Sequence, residues 1–484
     1  MKKETINQYL INLSVLLIAW GGLFRRSFNC DTLTHMVSIE KDILIQIQDG
    51  RYLTSLVDYI LLKMGLSTTT HTGVTTIAAL FLLALGLCFV QSGLFAAIQK
   101  TSTLEKIGFY AITALLFSNV LFGENLMFSE CALVFGIGYL FASMGIYYFI
   151  KKRRLRSFLF FLLATTGYQV TVVYAAIVLS AYILLDNDFK ITKKTVIEEL
   201  LCGLYTFGSG VLNILSYTLL AYVGVSGGMR KQIGTGIWTD KLKTIAETYV
   251  ILLKNSKGLL PGTWLPLLIM VFCIGVVIFI FIRKKNKMAV LYFILFVIGI
   301  NLMIFVIPMF QQYVYLPPRI IWPFYTVQSM LLLVAFACTD GRLKTFICYV
   351  GCVYLLIQIV FCNVIIANRT LSNNLDKVYA NMVYEKILEY EETGNIRVTK
   401  LAVVNDVDCP FSYDEVHYKT DQINERALGT VTNTLMNVVS GRNFEKVNMD
   451  EEIYNTYFSG KNWNYFDASE QLIIEGDTAY WVIF

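Results

Sequence analysis

Long apolar runs separated by short polar segments make up the first three quarters of the chain. They cover residues 6–24, 77–98, 107–122, 131–150, 200–223, 265–282, 288–307, 320–338 and 345–366. Each is near the roughly 17–25 residues that cross about 30 Å of hydrocarbon as a helix. About nine membrane spans are therefore expected. A further apolar stretch, "FLFFLLATTGYQVTVVYAAIVLSAYILL" (158–185), has basic segments at both ends and so should enter and leave on one side. As a helix it would be roughly 42 Å long, too short to cross twice. Two half-helices meeting at Thr165-Thr166-Gly167-Tyr168-Gln169 would fit, with irregular backbone lining a cavity; one long tilted helix is the alternative.

Beyond residue 366 the pattern changes. A helical periodicity ends near Gly394, "VTKLAVV" (398–404) reads as a strand, and "QLIIEGDTAYWVIF" (471–484) alternates around Glu475-Gly476-Asp477 as a hairpin would. The expected fold is a polytopic α-helical membrane protein, with about nine spans and a re-entrant helix pair over residues 1–366, followed by a small extracytoplasmic α/β domain over 367–484.

Composition agrees with this pattern. The 484 residues are 56% hydrophobic and 15% charged, against about 25% charged in ordinary soluble domains. The net charge of +5 sits largely in short loops. "QKTSTLEK", "KKRRLR", "FKITKK", "RKKNK" and "DGRLK" all fall on one side of the expected topology, which the positive-inside rule makes the cytoplasm. These charges report topology and call for no nucleic-acid partner. Arg25 and Arg26 oppose Lys2 and Lys3 across the first span, but the five downstream loops decide, placing the N-terminus in the cytoplasm. Residues 25–76, 224–264 and everything after 366 then lie outside. The first run is too long for a signal-peptide core and has no small-residue cleavage site after it, so it reads as a retained anchor.

Little else in the composition suggests chemistry. The ten cysteines show no CxxC pair, although Cys30 and Cys409 would both be extracytoplasmic and could pair. His35, His71 and His417 lie far apart without metal-ligand spacing. Asp406-Val407-Asp408 has the Asp-x-Asp form that nucleotide-sugar transferases use to hold a metal, but three-residue matches arise readily by chance and this one sits in a small outer domain.

Polar groups gather instead at the outer ends of the spans. The loop "SFNCDTLTHMVSIEKDILIQIQDGR" (27–51) carries Asp31, Glu40, Asp42, Asp49 and Arg51. Such acids are ordinarily a solvated face, yet a carboxylate at a membrane surface can also serve as a general base. "LFGENLMFSECALVF" places Glu124 and Glu130 between two spans, and "QQYVYLPPRIIWPFY" places Arg319 at the start of another. An arginine at a helix start attracts phosphate through both its guanidinium and the helix dipole; snorkelling to lipid headgroups is the ordinary alternative.

Taken in order, the acid after the first span, "DGR" (49–51), "ENLMFSE" (124–130), "GYQ" (167–169) and "PPRIIWP" (317–323) resemble the bacterial GtrII-type glucosyltransferases. These are polytopic GT-C-class enzymes that decorate surface polysaccharides from a polyprenyl-phosphate sugar. The resemblance covers roughly residues 1–340. Asp31 falls at the first-loop acid, where the family often has two adjacent Asp and this chain has Cys30-Asp31; Glu130 stands where Asp is expected.

The resemblance implies a bacterial inner-membrane enzyme acting on the outer face. Asp31, Glu124 and Glu130 would be its catalytic acids, with Asp31 as base. Arg51, Tyr168, Gln169, Arg319, Arg25 and Arg26 would bind donor and sugar. It implies a polyprenyl-phosphate sugar donor, a polysaccharide acceptor, and a partner flippase and donor synthase in the same bilayer. No cofactor is required, and the need for a divalent metal stays open. Three other readings remain: a transporter or flippase of lipid-linked glycans, an O-antigen-polymerase-like enzyme, and a scaffold. The first would carry ionisable groups buried in its spans, and the second arginine-rich outer loops.

Overall fold

The computed structural model describes residues 3–25, 27–37, 39–98, 102–224 and 236–484. In chain order the helices begin with α1 (Lys3–Trp20), α2 (Cys30–Val37), α3 (Ile39–Gln48), α4 (Tyr52–Lys63), α5 (Thr72–Leu94) and α6 (Thr103–Ala114). Next come α7 (Gly123–Met127), α8 (Ala132–Ile150), α9 (Arg154–Gly167), α10 (Thr171–Asp186), α11 (Lys193–Tyr222) and α12 (Trp238–Asn255). The series continues with α13 (Leu265–Arg283), α14 (Lys287–Met303), α15 (Val306–Met309), α16 (Pro318–Ile321), α17 (Pro323–Cys338) and α18 (Gly341–Gly394). Among the described residues, seven helical stretches are long and apolar enough to cross a membrane, and α10 and α14 are shorter apolar helices. The chain is a largely helical, membrane-embedded protein.

It divides into two compact units. The first holds Met1–Arg26 and Glu40–Val364, the second Ser27–Ile39 and Ile365–Phe484. Residues 27–39, expected with the membrane domain, thus cluster with the C-terminal part. The reason is local to the second unit: Asn373 of α18 grips the backbone of Phe28 on both sides, its Oδ1 accepting from Phe28 N at 3.0 Å and its Nδ2 donating to Phe28 O at 3.0 Å. Asn29 then caps α2, its Oδ1 accepting from Thr32 N at 2.6 Å.

Within the first unit, the expected span at 107–122 is helical only to Ala114. The rest is a buried irregular segment whose polar backbone is answered by side chains. Asn119 Nδ2 donates to Leu115 O at 2.8 Å, Asn119 Oδ1 accepts from Phe122 N at 3.0 Å, Trp20 Nε1 donates to Phe117 O at 2.8 Å, and Gln358 Oε1 accepts from Val120 N at 3.2 Å. Irregular backbone persists among apolar helices only under that condition.

The stretch 158–185 is broken, as two half-helices would require: α9 ends at Gly167 and α10 begins at Thr171. Its freed carbonyls are also satisfied. Asn213 Nδ2 of α11 donates to Thr165 O at 3.1 Å, Thr54 Oγ1 of α4 to Gly167 O at 3.4 Å, and Thr171 Oγ1 to Tyr168 O at 2.7 Å. α8 packs against both α5 and α9, with Gly136 so close to Ala79 that a Cβ would stand 2.8 Å from its Cα.

The second unit is a four-stranded sheet packed against the later part of α18. Its strands are β1 (Lys400–Asn405), β2 (Glu445–Val447), β3 (Leu472–Glu475) and β4 (Thr478–Ile483), in the order β2-β1-β4-β3. β1 runs parallel to β2 and β4, while β3 and β4 form the expected hairpin, turning at Gly476 with φ +59°. Leu401, Val398, Ile387, Leu435 and Trp481 lie in its core. Asp376 of α18 pins the segment before α19 (Thr432–Ser440), accepting from Ala427 N at 2.9 Å, Leu428 N at 3.1 Å and Tyr413 Oη at 2.8 Å.

Candidate active site

In the first unit, five of the residues singled out in the sequence come together. α7 begins one residue before Glu124, at the end of the irregular segment, and this carboxylate is only 1% exposed. Facing it is Arg319, in the single turn of α16, which is capped by Pro317 and opens at Pro318. Arg319 Nη1 donates to Glu124 Oε1 at 2.7 Å, and its main-chain N donates to Oε2 at 2.6 Å. Phe128 lies under the guanidinium, 4.5 Å from ring centre to Cζ, and Tyr315 at 5.6 Å. Tyr168, at the break between α9 and α10, donates from its hydroxyl to Arg319 O at 3.2 Å.

Arg51 also approaches Tyr168, its Cζ 5.9 Å from the ring centre. It is carried on the elbow between α3 and α4, where Gly50 adopts φ +71° and packs so tightly on α11 that a Cβ would lie 2.3 Å from Tyr217 Cδ1. Gln169 fixes that elbow by donating from Nε2 to Asp49 O at 2.9 Å. Arg51 Nη1 donates to Gln46 Oε1 at 3.2 Å, and among the described residues no carboxylate forms an ion pair with it. The two arginines therefore differ in kind. Arg319 is neutralised by a buried partner, whereas Arg51 has no ion-pair partner among the described residues.

Glu130 is buried just before Cys131, the N-cap of α8, where the positive end of the helix dipole favours a carboxylate. Arg25 is exposed at the end of the first span, and Arg26 lies outside the described residues. Asp31 belongs to the second unit, half-buried in the first turn of α2. Its charge acts there on Glu425, whose own carboxyl is raised above its usual range, chiefly by burial. Burial likewise raises the neighbouring Cys30 thiol, whose Sγ lies 3.6 Å from Arg426 O.

Sequence reading missed Tyr315, Phe128 and Gln46, aromatic and amide neighbours that supply shape without a motif. Asp406 and Asp408 fasten a loop: Asp406 accepts from Val407 N at 2.8 Å and Trp463 N at 3.2 Å, and Asp408 from Asn462 Nδ2 at 3.2 Å. Among the described residues no three acids, histidines or cysteines are grouped to hold a metal, and Cys30 and Cys409 are free thiols. No family model, curated protein or solved structure matches the chain.

Proposed function

We propose that this protein is an inverting GT-C-like glycosyltransferase of the bacterial inner membrane. It would move a hexosyl group, glucosyl by the family resemblance, from a polyprenyl-phosphate sugar to a surface polysaccharide on the outer face. The observation that carries the reading is the convergence of Glu124, Arg319, Tyr168 and Arg51 from four separate stretches of chain, with Arg51 free of any acidic partner among the described residues. A buried acid and arginine at an aromatic-lined break in the helices suit a sugar, and an unneutralised arginine beside them suits a phosphate.

The transfer needs few parts. The acceptor hydroxyl attacks the anomeric carbon as its proton passes to a carboxylate; the bond from that carbon to the phosphate oxygen breaks, and its electron pair leaves on polyprenyl phosphate. Arg51 stabilises the charge growing on that phosphate. Arg319 holds Glu124 in place and, through its carbonyl, Tyr168. Of the three candidate acids, Glu124 is engaged by Arg319, and Asp31 is the base chosen on its position in the sequence.

Surface-glycan masses test this directly. They should fall by one hexose per repeat in a deletion strain, return with the wild-type gene, and fail to return with Asp31→Asn or Arg51→Gln at equal membrane abundance. Unchanged glycan masses in every strain would remove the transferase reading. One observation favours a transporter of lipid-linked glycans as the second reading: Glu199 of α11 accepts from Ser180 of α10 at 3.0 Å and from Tyr292 of α14 at 3.3 Å, an ionisable group among apolar helices. Lipid-linked hexose accumulating on the inner leaflet of the deletion strain would support that reading instead.

A further inference from the structure

We infer that Glu199, with Ser180 and Tyr292, forms a reversible proton-binding site between α10, α11 and α14. The site stands on geometry and on neither reading of function given above. Ser180 Oγ of α10 donates to Glu199 Oε2 at 3.0 Å, and Tyr292 Oη of α14 donates to Oε1 at 3.3 Å, so each carboxylate oxygen accepts one hydroxyl from a different helix. Glu199 lies six residues inside the start of α11, Ser180 six before the end of α10, and Tyr292 five inside the start of α14. At 1.5 Å per residue the three meet roughly 8–9 Å in from the polar helix ends.

The neighbouring acid shows the contrast. Glu198, one position earlier, takes Lys152 Nζ at 2.5 Å and Asn187 Nδ2 at 3.2 Å. Other charges at this end are engaged as well. Asp186 of α10 accepts from Lys194 at 3.4 Å and from Tyr182 at 3.1 Å, and Arg154 of α9 lies over Phe149 at 3.9 Å. Among the described residues no lysine or arginine forms an ion pair with Glu199. Two hydroxyls satisfy its oxygens but bring no charge, and an acid among apolar helices needs its charge compensated. A bound proton supplies that compensation and needs no further ligand. The site is also within reach. Glu199 is only half-buried, and Gly203, one turn further along α11, has open space where a Cβ would stand. Val196 and Leu200 beside it on α11, and Leu291 and Leu295 beside Tyr292, are exposed, so apolar reagents can approach. Asp186 and Lys194, exposed at the helix ends beyond it, give a proton a polar entry.

Dicyclohexylcarbodiimide, an apolar reagent that adds to carboxylic acids and not to carboxylates, reads the bound proton. The proton passes to a carbodiimide nitrogen as the carboxyl oxygen bonds the central carbon, and rearrangement leaves a stable acylurea with nothing expelled. The purified full chain in phosphatidylcholine nanodiscs is treated over a series of pH values, and adducts are located by peptide mass spectrometry. At neutral pH the adduct is expected on Glu199 with Glu198 unmodified. Its yield should be lost through a single-proton step as the pH rises, and sodium at fixed pH should not change it. Glu199→Gln keeps the shape and should abolish the adduct. Three outcomes with the wild-type protein alone would overturn the inference: labelling of Glu199 only at the acidic pH where Glu198 also reacts, a yield independent of pH, or protection by sodium, which would make the occupant a metal cation. The labelling uses no sugar donor and no glycan, so its failure is distinct from failure of the transferase or the transporter reading.

Discussion

Glu124 and Arg319, 195 residues apart, hold each other twice, through the guanidinium at 2.7 Å and through the arginine's own main-chain N–H at 2.6 Å. The second bond matters because it ties the carboxylate to the backbone of α16 and not only to a swinging side chain. Breaking a buried pair by removing one partner typically costs about 3–5 kcal/mol, since the other charge is left unanswered. Glu124→Gln should therefore lower the unfolding temperature in detergent by several degrees and, if the proposed function holds, abolish hexose transfer. Arg319→Lys keeps the charge but not the fork, and should retain more stability than Glu124→Gln while losing most activity. Unfolding followed by tryptophan fluorescence, set beside transfer assays on the same preparations, checks both.

The elbow that carries Arg51 offers a test that leaves every candidate polar group in place. Gly50 combines φ +71° with contact to Tyr217 that leaves no room for a Cβ. Gly50→Ala should shift the elbow and release Gln169 from Asp49 O. Transfer should fall at least about tenfold, corresponding to roughly 1.4 kcal/mol of lost transition-state stabilisation, while membrane abundance stays near wild type. A Gly50→Ala enzyme with unaltered kcat/KM would show that the position of Arg51 does not matter to the reaction.

How much of the fold and site was legible beforehand depends on where the information lies. The break at Tyr168 was one of two readings open in the sequence, because the basic segments on both sides of 158–185 suit a return while one long tilted helix suits its hydropathy as well; the structure shows the break, between Gly167 and Thr171. The end of α6 at Ala114 could not be read, because hydropathy sums side chains while the helix stops through backbone bonds taken over by Asn119, Trp20 and Gln358. Glu124 and Arg319 were visible as polar groups at span ends, but nothing local says that they meet. The grouping of 27–39 with the C-terminal unit was equally hidden, since it depends on Asn373, 345 residues from Phe28. Motifs thus located the residues, and long-range polar contacts decided their company.

The helix break makes a prediction about stability alone. Asn213 Nδ2 bonds Thr165 O, one of the carbonyls left behind when α9 ends. Asn213→Leu is close in size but cannot donate, leaving that carbonyl buried without its partner at a cost of about 1–3 kcal/mol. Asn213→Gln should recover part of the loss. Midpoints of thermal unfolding in one detergent should rank wild type above Gln above Leu; a Leu variant as stable as wild type would mean that water already serves Thr165.

Glu425 gives a pH dependence of definite sign. Its folded carboxyl is raised above the ordinary value, mainly by burial and also by the charge of Asp31, against partial relief from Thr430, Cys30 and Arg369. The folded state therefore binds this proton more tightly than the unfolded chain does. The stability it contributes is fully present below the unfolded value, near 4.3, and is lost as pH rises through the folded value, so at neutral pH the ionised group opposes folding. Glu425→Gln stays uncharged throughout and keeps the bond from Thr430, which donates to Glu425 Oε1 at 3.1 Å. The variant should unfold at a higher temperature than wild type at pH 7.5, and the gap should close as pH falls towards 4. A gap that widens on acidification would mean that the ionised carboxylate is the favoured form, with the attraction of Arg369 outweighing the cost of burial.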